Sequence, residues 1–349
     1  MICGIDVHKR THTAALLHPT SGVIATLTFT NDAEGIGRLR RWLTDHDAEA
    51  ARIGVENAAG YGRQLVAALA ADGYELLNVP AWMTHRDRLT AGPGKSDAGD
   101  AMAIAEVVLR KAHQLGPALE PELARALSLL ETLRRQSVYD RTQAIQRLRA
   151  IWTQFDPEAE REVRHIHRQK VLRRLRRLRP NGGLAEQTAA RCIRELAREI
   201  GQLNDRIGEL EGEMAALMAE PGNPLEDLPG AGPQVAAAIV AQAGDVRRFR
   251  SAGAFARFSG VAPIPCGSGS TDGRQRLHRG GNRQLNAAFH RIAVVQARVS
   301  PEAQAYLERK RAEGKSAREA RRALKRHLAN VVYRRLLAWA PDAYGPVPT

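Results

Sequence analysis

Residues 1–115 alternate between strand-like and helix-like patterns of hydrophobic positions. Three consecutive stretches rich in apolar and β-branched residues predict strands: ICGIDV, THTAALLH and GVIATLTFT. The following segments predict, in order, a helix capped by Asn31 or Asp32, a strand ARIGVEN, a helix YGRQLVAALAADG and a strand YELLNVP. Three strands followed by β-α alternation indicate a mixed α/β sheet with helices packed on it.

A heptad pattern dominates the middle of the chain, residues 120–220. Apolar side chains recur there at alternating spacings of three and four: Ile193, Leu196, Ile200, Leu203, Ile207, Leu210, Met214 and Leu217. Such a seam predicts a coiled coil and needs a second helix to cover it. That helix is either the preceding one, Leu123 to Phe155, or the same helix of another subunit.

The stretch LPGAGPQVAAAIVAQAGD, residues 228–245, has the pattern of a helix-hairpin-helix. Gly230 and Gly232 have no side chains, so backbone N–H groups at the start of the second helix could approach a phosphate. The alternative is an ordinary turn between two helices. These patterns predict three domains: an α/β domain over 1–115, a helical coiled-coil domain over 116–222 and a mainly α domain over 223–349.

The net charge indicates the kind of partner: the chain of 349 residues carries a formal charge of +14. So large a surplus on a globular chain favours a polyanion as partner, and nucleic acid is the commonest one. The positive charge is densest in residues 161–179, where nine of nineteen residues are Lys or Arg. A solvated helix face is the usual reading of a charge run, but the nearly uniform positive sign here favours contact with phosphates.

The three cysteines, Cys3, Cys192 and Cys266, are far apart and do not have the spacing of a zinc site. We find no signal-peptide pattern and no apolar run long enough to span a membrane. A cytoplasmic location and no membrane partner are expected.

Acidic residues stand where packing would not place them. Asp6 interrupts the first apolar strand, Glu56 ends a later one, and Asp97 and Asp100 are three residues apart at the start of a predicted helix. A charge within a central strand is costly unless it is paired or binds a metal. Four converging carboxylates would hold two Mg²⁺ ions, or Mn²⁺ in their place, although Asp97 could instead cap the helix that begins near Ala98.

These acidic motifs carry a family resemblance. GIDVHK, GVENAAGYG and GKSDAGD resemble the three motifs of the RuvC-like domain in DEDD-type transposases of bacterial insertion sequences. PGAGPQVAAAIVAQAGD, FARFSGVAPIPCGSGS and HRGGNRQLN are similar to the second conserved domain of that family, in the same order.

The resemblance implies a recombinase that excises and inserts its own element, guided by a bridge RNA that pairs with donor and target DNA. It implies a ribonuclease-H-like fold whose acidic set is Asp6, Glu56, Asp97 and Asp100. It further implies a homo-oligomer, a dimer or a tetramer, with the heptad seam in an oligomerisation role.

The family's second domain also supplies a serine that attacks DNA and forms a covalent phosphoserine link. Members commonly have Ser-Ser-Gly after an Ala-Pro-x-Pro segment, whereas this chain has Gly267, Ser268 and Gly269. Ser268 then matches the second serine and is the predicted nucleophile, with Ser270 as the alternative. The arginines that follow are predicted phosphate contacts: Arg274, Arg276, Arg279 and Arg283.

Two other functions fit the same residues. One is a junction nuclease that uses the carboxylates with water as nucleophile. The other is a non-catalytic nucleic-acid-binding protein whose acidic residues are caps and ion-pair partners.

Overall fold

The structure is a computed structural model that describes residues 1–81, 83–84, 96–161, 163–180, 182–265, 275–277 and 280–344. The chain divides into two compact units. The first comprises Met1–Glu122, Gly244–His278 and Ala329–Thr349, and the second comprises Leu123–Ala243 and Arg279–Leu328. The domain boundaries expected after residues 115 and 222 stay predictions.

The first unit contains a mixed sheet, as the sequence predicts, with a sixth strand beyond the five predicted ones. Its strands are β1 (Ile2–Val7), β2 (Thr11–His18), β3 (Gly22–Thr30), β4 (Arg52–Glu56), β5 (Leu76–Val79) and β6 (Gly116–Pro117). The order across the sheet is β3-β2-β1-β4-β5-β6. β1 pairs parallel with β4 and β4 parallel with β5, while the other neighbours are antiparallel. A two-stranded pair, β7 (Pro263–Pro265) and β8 (Gln275–Leu277), lies in the same unit.

Helices cover both faces of the sheet and make up most of the second unit. They are α1 (Ala33–Thr44), α2 (Arg63–Ala71), α3 (Asp97–Lys111), α4 (Glu122–Phe155), α5 (Pro157–Arg161), α6 (Gln169–Arg176), α7 (Leu184–Ala219), α8 (Pro233–Ala243), α9 (Ala252–Phe258), α10 (Arg283–Val299), α11 (Pro301–Ala312) and α12 (Ala317–Tyr344). No helix within the described ranges combines the length and hydrophobicity that a membrane crossing requires.

Strand β1 is buried on both faces, and its alternation separates two cores. Cys3, Ile5 and Val7 pack with the apolar sides of α1 and α2. Ile2 belongs to the second core, which is made chiefly by α3. Because side chains alternate, Gly4 and Asp6 share the face of Ile2. The sheet is therefore the middle of three layers, and its α3 face carries Asp6.

Helices α4 and α7 run antiparallel within the second unit. Arg134 contacts Glu211, Arg141 bonds Asn204, and Arg147 contacts Glu199, so residue numbers rise on one helix as they fall on the other. Ala144, Leu148 and Trp152 of α4 pack in one core with Ile193, Ala197 and Ile200 of α7. The preceding helix thus packs against the part of the seam around Ile193 and Ile200, where Leu172 and Leu175 of α6 share the core; the cover of the rest of the seam, a coiled-coil geometry and a role in oligomerisation stay predictions.

The predicted helix-hairpin-helix is not confirmed. Its second helix is α8, but residues 224–227 ahead of it form turns where the first short helix was expected. Gly230 has φ +88°, and a Cβ atom there would lie 2.9 Å from Cβ of Val295 and 3.0 Å from Cα of Ile292. Glycine at this position is therefore accounted for by the close approach of α10.

Candidate metal centre

Two of the predicted acidic residues stand side by side at the edge of the sheet. β1 and β4 are parallel, with Ile5 opposite Val55, so the next residues on the two strands are Asp6 and Glu56. Asp6 is buried and Glu56 is half-buried. The carboxyl ends of adjacent parallel strands meet at one edge of a sheet, which brings these two side chains to the same place.

Helix α3 brings the other two acidic residues to this edge. Its backbone lies against β1 so closely that a Cβ atom on Gly4 would overlap the carbonyl oxygen of Ala101 and the amide nitrogen of Ala105. Asp97 and Asp100 precede these alanines by about one turn, and Asp6 follows Gly4 on the same face of the strand. The glycine in β1 thus sets the helix at the height that places its first turn beside Asp6.

The cap of α3 differs from the expectation. Helix α3 begins at Asp97, and its N-cap is Ser96, whose hydroxyl accepts a hydrogen bond from the amide of Gly99 at 3.1 Å. Capping therefore does not account for Asp97. Both carboxylates in the first turn, those of Asp97 and Asp100, are favoured by the positive end of the helix dipole.

His8 completes a compact group with two of the carboxylates. Its Nε2 lies 3.0 Å from Oδ2 of Asp6 and 3.7 Å from Oδ1 of Asp97. One ligand atom from each of the three residues lies within 4.8 Å of the others, which is close enough to share one metal ion. Carboxylate oxygens are the ligands that Mg²⁺ and Mn²⁺ prefer, whereas an imidazole nitrogen is more typical of later transition metals.

The electrostatics of Asp6 agree with a cation site. Burial raises the pKa of this carboxyl, and the negative charges of Asp100 and Asp97 raise it further, while the neighbouring His8 lowers it. A divalent cation beside Asp6 would offset this effect, because a nearby positive charge favours the ionised form of the carboxyl. The donor set and its electrostatics therefore fit a metal.

Glu56 and Asp100 lie at the rim of this group rather than within it. The hydroxyl of Thr84, which is fully buried, donates to Oε2 of Glu56 at 2.9 Å. Asp100 is buried and close enough to Asp6 for its charge to affect the pKa of that residue. The four predicted carboxylates thus meet at one end of the sheet, with Asp6 and Asp97 in the closest group.

Three residues at the centre were missed by the sequence reasoning. His8 is part of the motif GIDVHK, and its position two residues after Asp6 was the available signal. The backbone N–H of His8 donates to Nδ1 of His12 at 3.3 Å, so a fully buried histidine on β2 holds the start of the turn. Thr84 gave no signal, because its hydrogen bond to Glu56 depends on tertiary structure.

The structure describes only some of the nucleic-acid contacts predicted in the C-terminal third. Gly232 is exposed, with open space around it, and its carbonyl accepts from the amides of the first turn of α8. Arg283 is exposed at the start of α10, and Arg276 lies in β8. The remaining predicted residues lie outside the described residues: Ser268, Ser270, Arg274 and Arg279.

Comparisons with known proteins place the chain among transposases. A transposase family model, that of DEDD transposases of the IS110 type, matches residues 3–157, and the model of the transposase IS116/IS110/IS902 family matches residues 222–308. The chain is 28% identical to the IS900 uncharacterized 42 kDa protein of Mycobacterium paratuberculosis, over 99% of this chain and 97% of the relative. It is also 28% identical to the mini-circle putative transposase for IS117 of Streptomyces coelicolor, over 95% and 91% of the two chains.

The mixed sheet, its acidic edge and these matches define the class: the protein is a transposase of an insertion element. More particularly, the two family models together match more than half of the chain, in order, and the chain belongs to the IS110 family of DEDD transposases.

Proposed function

We propose that this transposase cuts and rejoins DNA at a divalent metal centre formed by Asp6, Glu56, Asp97 and Asp100, with Ser268 as nucleophile. The observation that carries the proposal is the meeting of two strand ends with the first turn of α3, where burial and neighbouring carboxylates raise the pKa of Asp6. A protein that used these residues only as caps or ion-pair partners would have no reason to crowd buried acids together.

The metal is Mg²⁺ or Mn²⁺. When bound, it neutralises charge on the phosphate under attack and on the leaving oxygen. Asp6 and Asp97 would supply carboxylate oxygens. When Nε2 of His8 carries a proton, it donates to Oδ2 of Asp6 and orients that carboxylate, so that His8 then acts as a positioning residue and not as a ligand. Thr84 does the same for Glu56.

The reaction is a transesterification. The Ser268 hydroxyl gives its proton to solvent and attacks the phosphorus; the bond from phosphorus to the leaving strand's sugar oxygen breaks, and that oxygen takes up a proton from solvent. A serine hydroxyl is a weak nucleophile, and a divalent metal beside it would supply the activation that it needs. The phosphoserine link conserves the phosphodiester, so the reverse attack by another strand's hydroxyl rejoins DNA without a nucleotide cofactor.

Donor and target DNA are the substrates, and we propose that a bridge RNA selects them by base pairing. The net charge of +14 supports extensive contact with phosphates. Arg274, Arg276, Arg279 and Arg283 are proposed to hold the phosphates beside the serine loop, and the N–H groups near Gly230 and Gly232 to hold a further one. A homo-oligomer, dimer or tetramer, would align the two DNAs.

The test is a covalent-adduct assay. The purified protein, the transcript of the non-coding DNA beside its gene and labelled donor DNA are incubated with Mg²⁺, and serine-linked DNA is resolved on a denaturing gel. We expect an adduct from the wild type and from Ser270→Ala, and none from Ser268→Ala or Asp6→Asn.

Each alternative has its own outcome in this assay. Nicking without an adduct by Ser268→Ala would establish the hydrolytic nuclease. An adduct that persists in Ser268→Ala and disappears in Ser270→Ala would move the nucleophile to Ser270. Equal yields with and without the RNA would remove guidance from the proposal, and identical behaviour of wild type and Asp6→Asn would remove the metal chemistry.

A further inference from the structure

Helix α6 (Gln169–Arg176) has its apolar residues on one side and its cationic residues on the other. Leu172 and Leu175 are buried, whereas Lys170, Arg173 and Arg174 are exposed. At 100° per residue, the two leucines and the three cations fall on opposite sides of the helix. Arg177, the next residue, is exposed at its C-cap and continues the charged side.

The helix is attached to α7 along its whole apolar side. Leu172 and Leu175 pack in one core with Ile193 and Ile200. Side chains of α7 also fix both flanks: Nδ2 of Asn204 donates to the carbonyl of His167 at 2.8 Å, and Nη1 of Arg194 donates to the carbonyl of Leu178 at 2.8 Å. The exposed cations are therefore carried on an ordered support.

Nothing in the segment neutralises these cations. Residues 163–180 contain neither Asp nor Glu. Among the ion pairs of the described ranges, none involves Lys170, Arg173, Arg174 or Arg177, which we call the cationic face. By contrast, other exposed arginines of the second unit do have carboxylate partners, Arg147 with Glu199 and Arg198 with Glu195.

The local field is positive as well. Burial lowers the pKa of His167, and the charges of Arg141, His165 and Arg168 lower it further. Like charges at helical spacing of three and four repel one another, so the helix forms because its leucines are buried and in spite of its charges. A bound polyanion would remove that repulsion.

We propose that the cationic face binds the sugar–phosphate backbone of duplex DNA, without reading its sequence. From Lys170 to Arg177 the helix rises about 10 Å, which equals the rise of about three nucleotides along one strand. Arginine and lysine on phosphates position a protein on DNA but carry no sequence information. DNA is the assigned polyanion because the chain belongs to a transposase family. This binding goes beyond the proposed metal chemistry and needs no carboxylate.

The test is the salt dependence of binding, measured on the full chain in EDTA with a duplex DNA of arbitrary sequence. Each phosphate contact contributes about 0.9 to the slope of log affinity against log salt concentration. For Arg173→Gln/Arg174→Gln/Arg177→Gln we expect the slope to fall by about 2.7 and the affinity at low salt by at least about tenfold. The triple lysine variant at the same positions keeps the charges and should keep the slope.

A matched control removes the same charge elsewhere. Arg52→Gln/Arg147→Gln/Arg198→Gln replaces three exposed arginines that have carboxylate partners, and its slope should stay that of the wild type. An equal loss in both triple variants would overturn the proposal, because net charge alone would then explain binding. So would an unchanged slope in the α6 variant, or a loss confined to duplex RNA used as a second probe.

Discussion

The carbonyl oxygen of Ala101 occupies the space that a Cβ atom on Gly4 would need. This contact joins the centre of β1 to the second turn of α3 and fixes the height of the helix above the sheet. Asp6 lies two residues further along the strand, and Asp97 lies one turn back along the helix. The absence of a side chain at position 4 therefore determines how close the acidic residues come to one another.

Gly4→Ala should damage both stability and the metal centre. The added methyl group meets backbone atoms of Ala101 and Ala105, which cannot rotate away, so we expect a loss of about 1–3 kcal/mol in the free energy of unfolding and weaker Mg²⁺ binding. Chemical denaturation with and without Mg²⁺ measures both. Gly208→Ala is the control: its site in α7 is open, and the change should stabilise by up to about 1 kcal/mol.

Divalent metal should stabilise the folded protein through the acidic edge. A ligand present at 100 times its Kd adds about 2.7 kcal/mol to the free energy of unfolding, so Mg²⁺ should raise the thermal midpoint of the wild type. Asp6→Asn and Asp97→Asn should abolish most of that rise. Asp227→Asn, at an exposed turn position, should leave it intact. A rise of equal size in all four proteins would place metal binding elsewhere on the chain.

The raised pKa of Asp6 gives this effect a pH dependence. The folded protein holds the Asp6 proton to higher pH than the unfolded chain, whose ordinary value is 3.8. Wild type should therefore gain stability relative to Asp6→Asn as pH falls through the folded-state pKa, and lose it as pH rises. Mg²⁺ binds the ionised form and should stabilise more at pH about 8 than at pH about 5. The reverse trend in metal-dependent thermal midpoints would contradict a site at Asp6.

Three strands of the first unit could be predicted residue by residue, because strands buried in a sheet require runs of apolar and β-branched residues, whereas the short strands β6, β7 and β8 were not predicted. Ile2–Val7, Thr11–His18 and Gly22–Thr30 coincide with the three apolar stretches. The acidic edge was also predictable, since a carboxylate such as Asp6 within a buried strand conflicts with packing and signals a function.

The residues that were missed act through tertiary contacts. Gly4 allows α3 to approach closely. Gly230, which the sequence predicted as a phosphate contact, allows the close approach of α10, and a glycine does not reveal in the sequence which partner needs the space. His8 and Thr84 gain their roles from the positions of Asp6 and Glu56 in the folded chain. The Thr84–Glu56 bond joins residues 28 apart, which no short motif reports, whereas His8 lies two residues from Asp6 and its signal was present in the motif GIDVHK.

A buried ion-pair group of Arg134, Glu131 and Glu211 joins α4 to α7, and a substitution of Arg134 tests how much it contributes to stability. Arg134 bonds Glu131 at 2.7 Å and Glu211 at 3.2 Å, and both Arg134 and Glu131 are largely buried. Arg134→Met leaves Glu131 buried without its charge partner, so we expect a loss of about 3–5 kcal/mol in the free energy of unfolding. Arg198→Met, which breaks an exposed pair, should cost about 1 kcal/mol or less. Adding Glu131→Gln to Arg134→Met should restore much of the loss; equal denaturation midpoints for the two single variants would show that the antiparallel contact does not depend on this group.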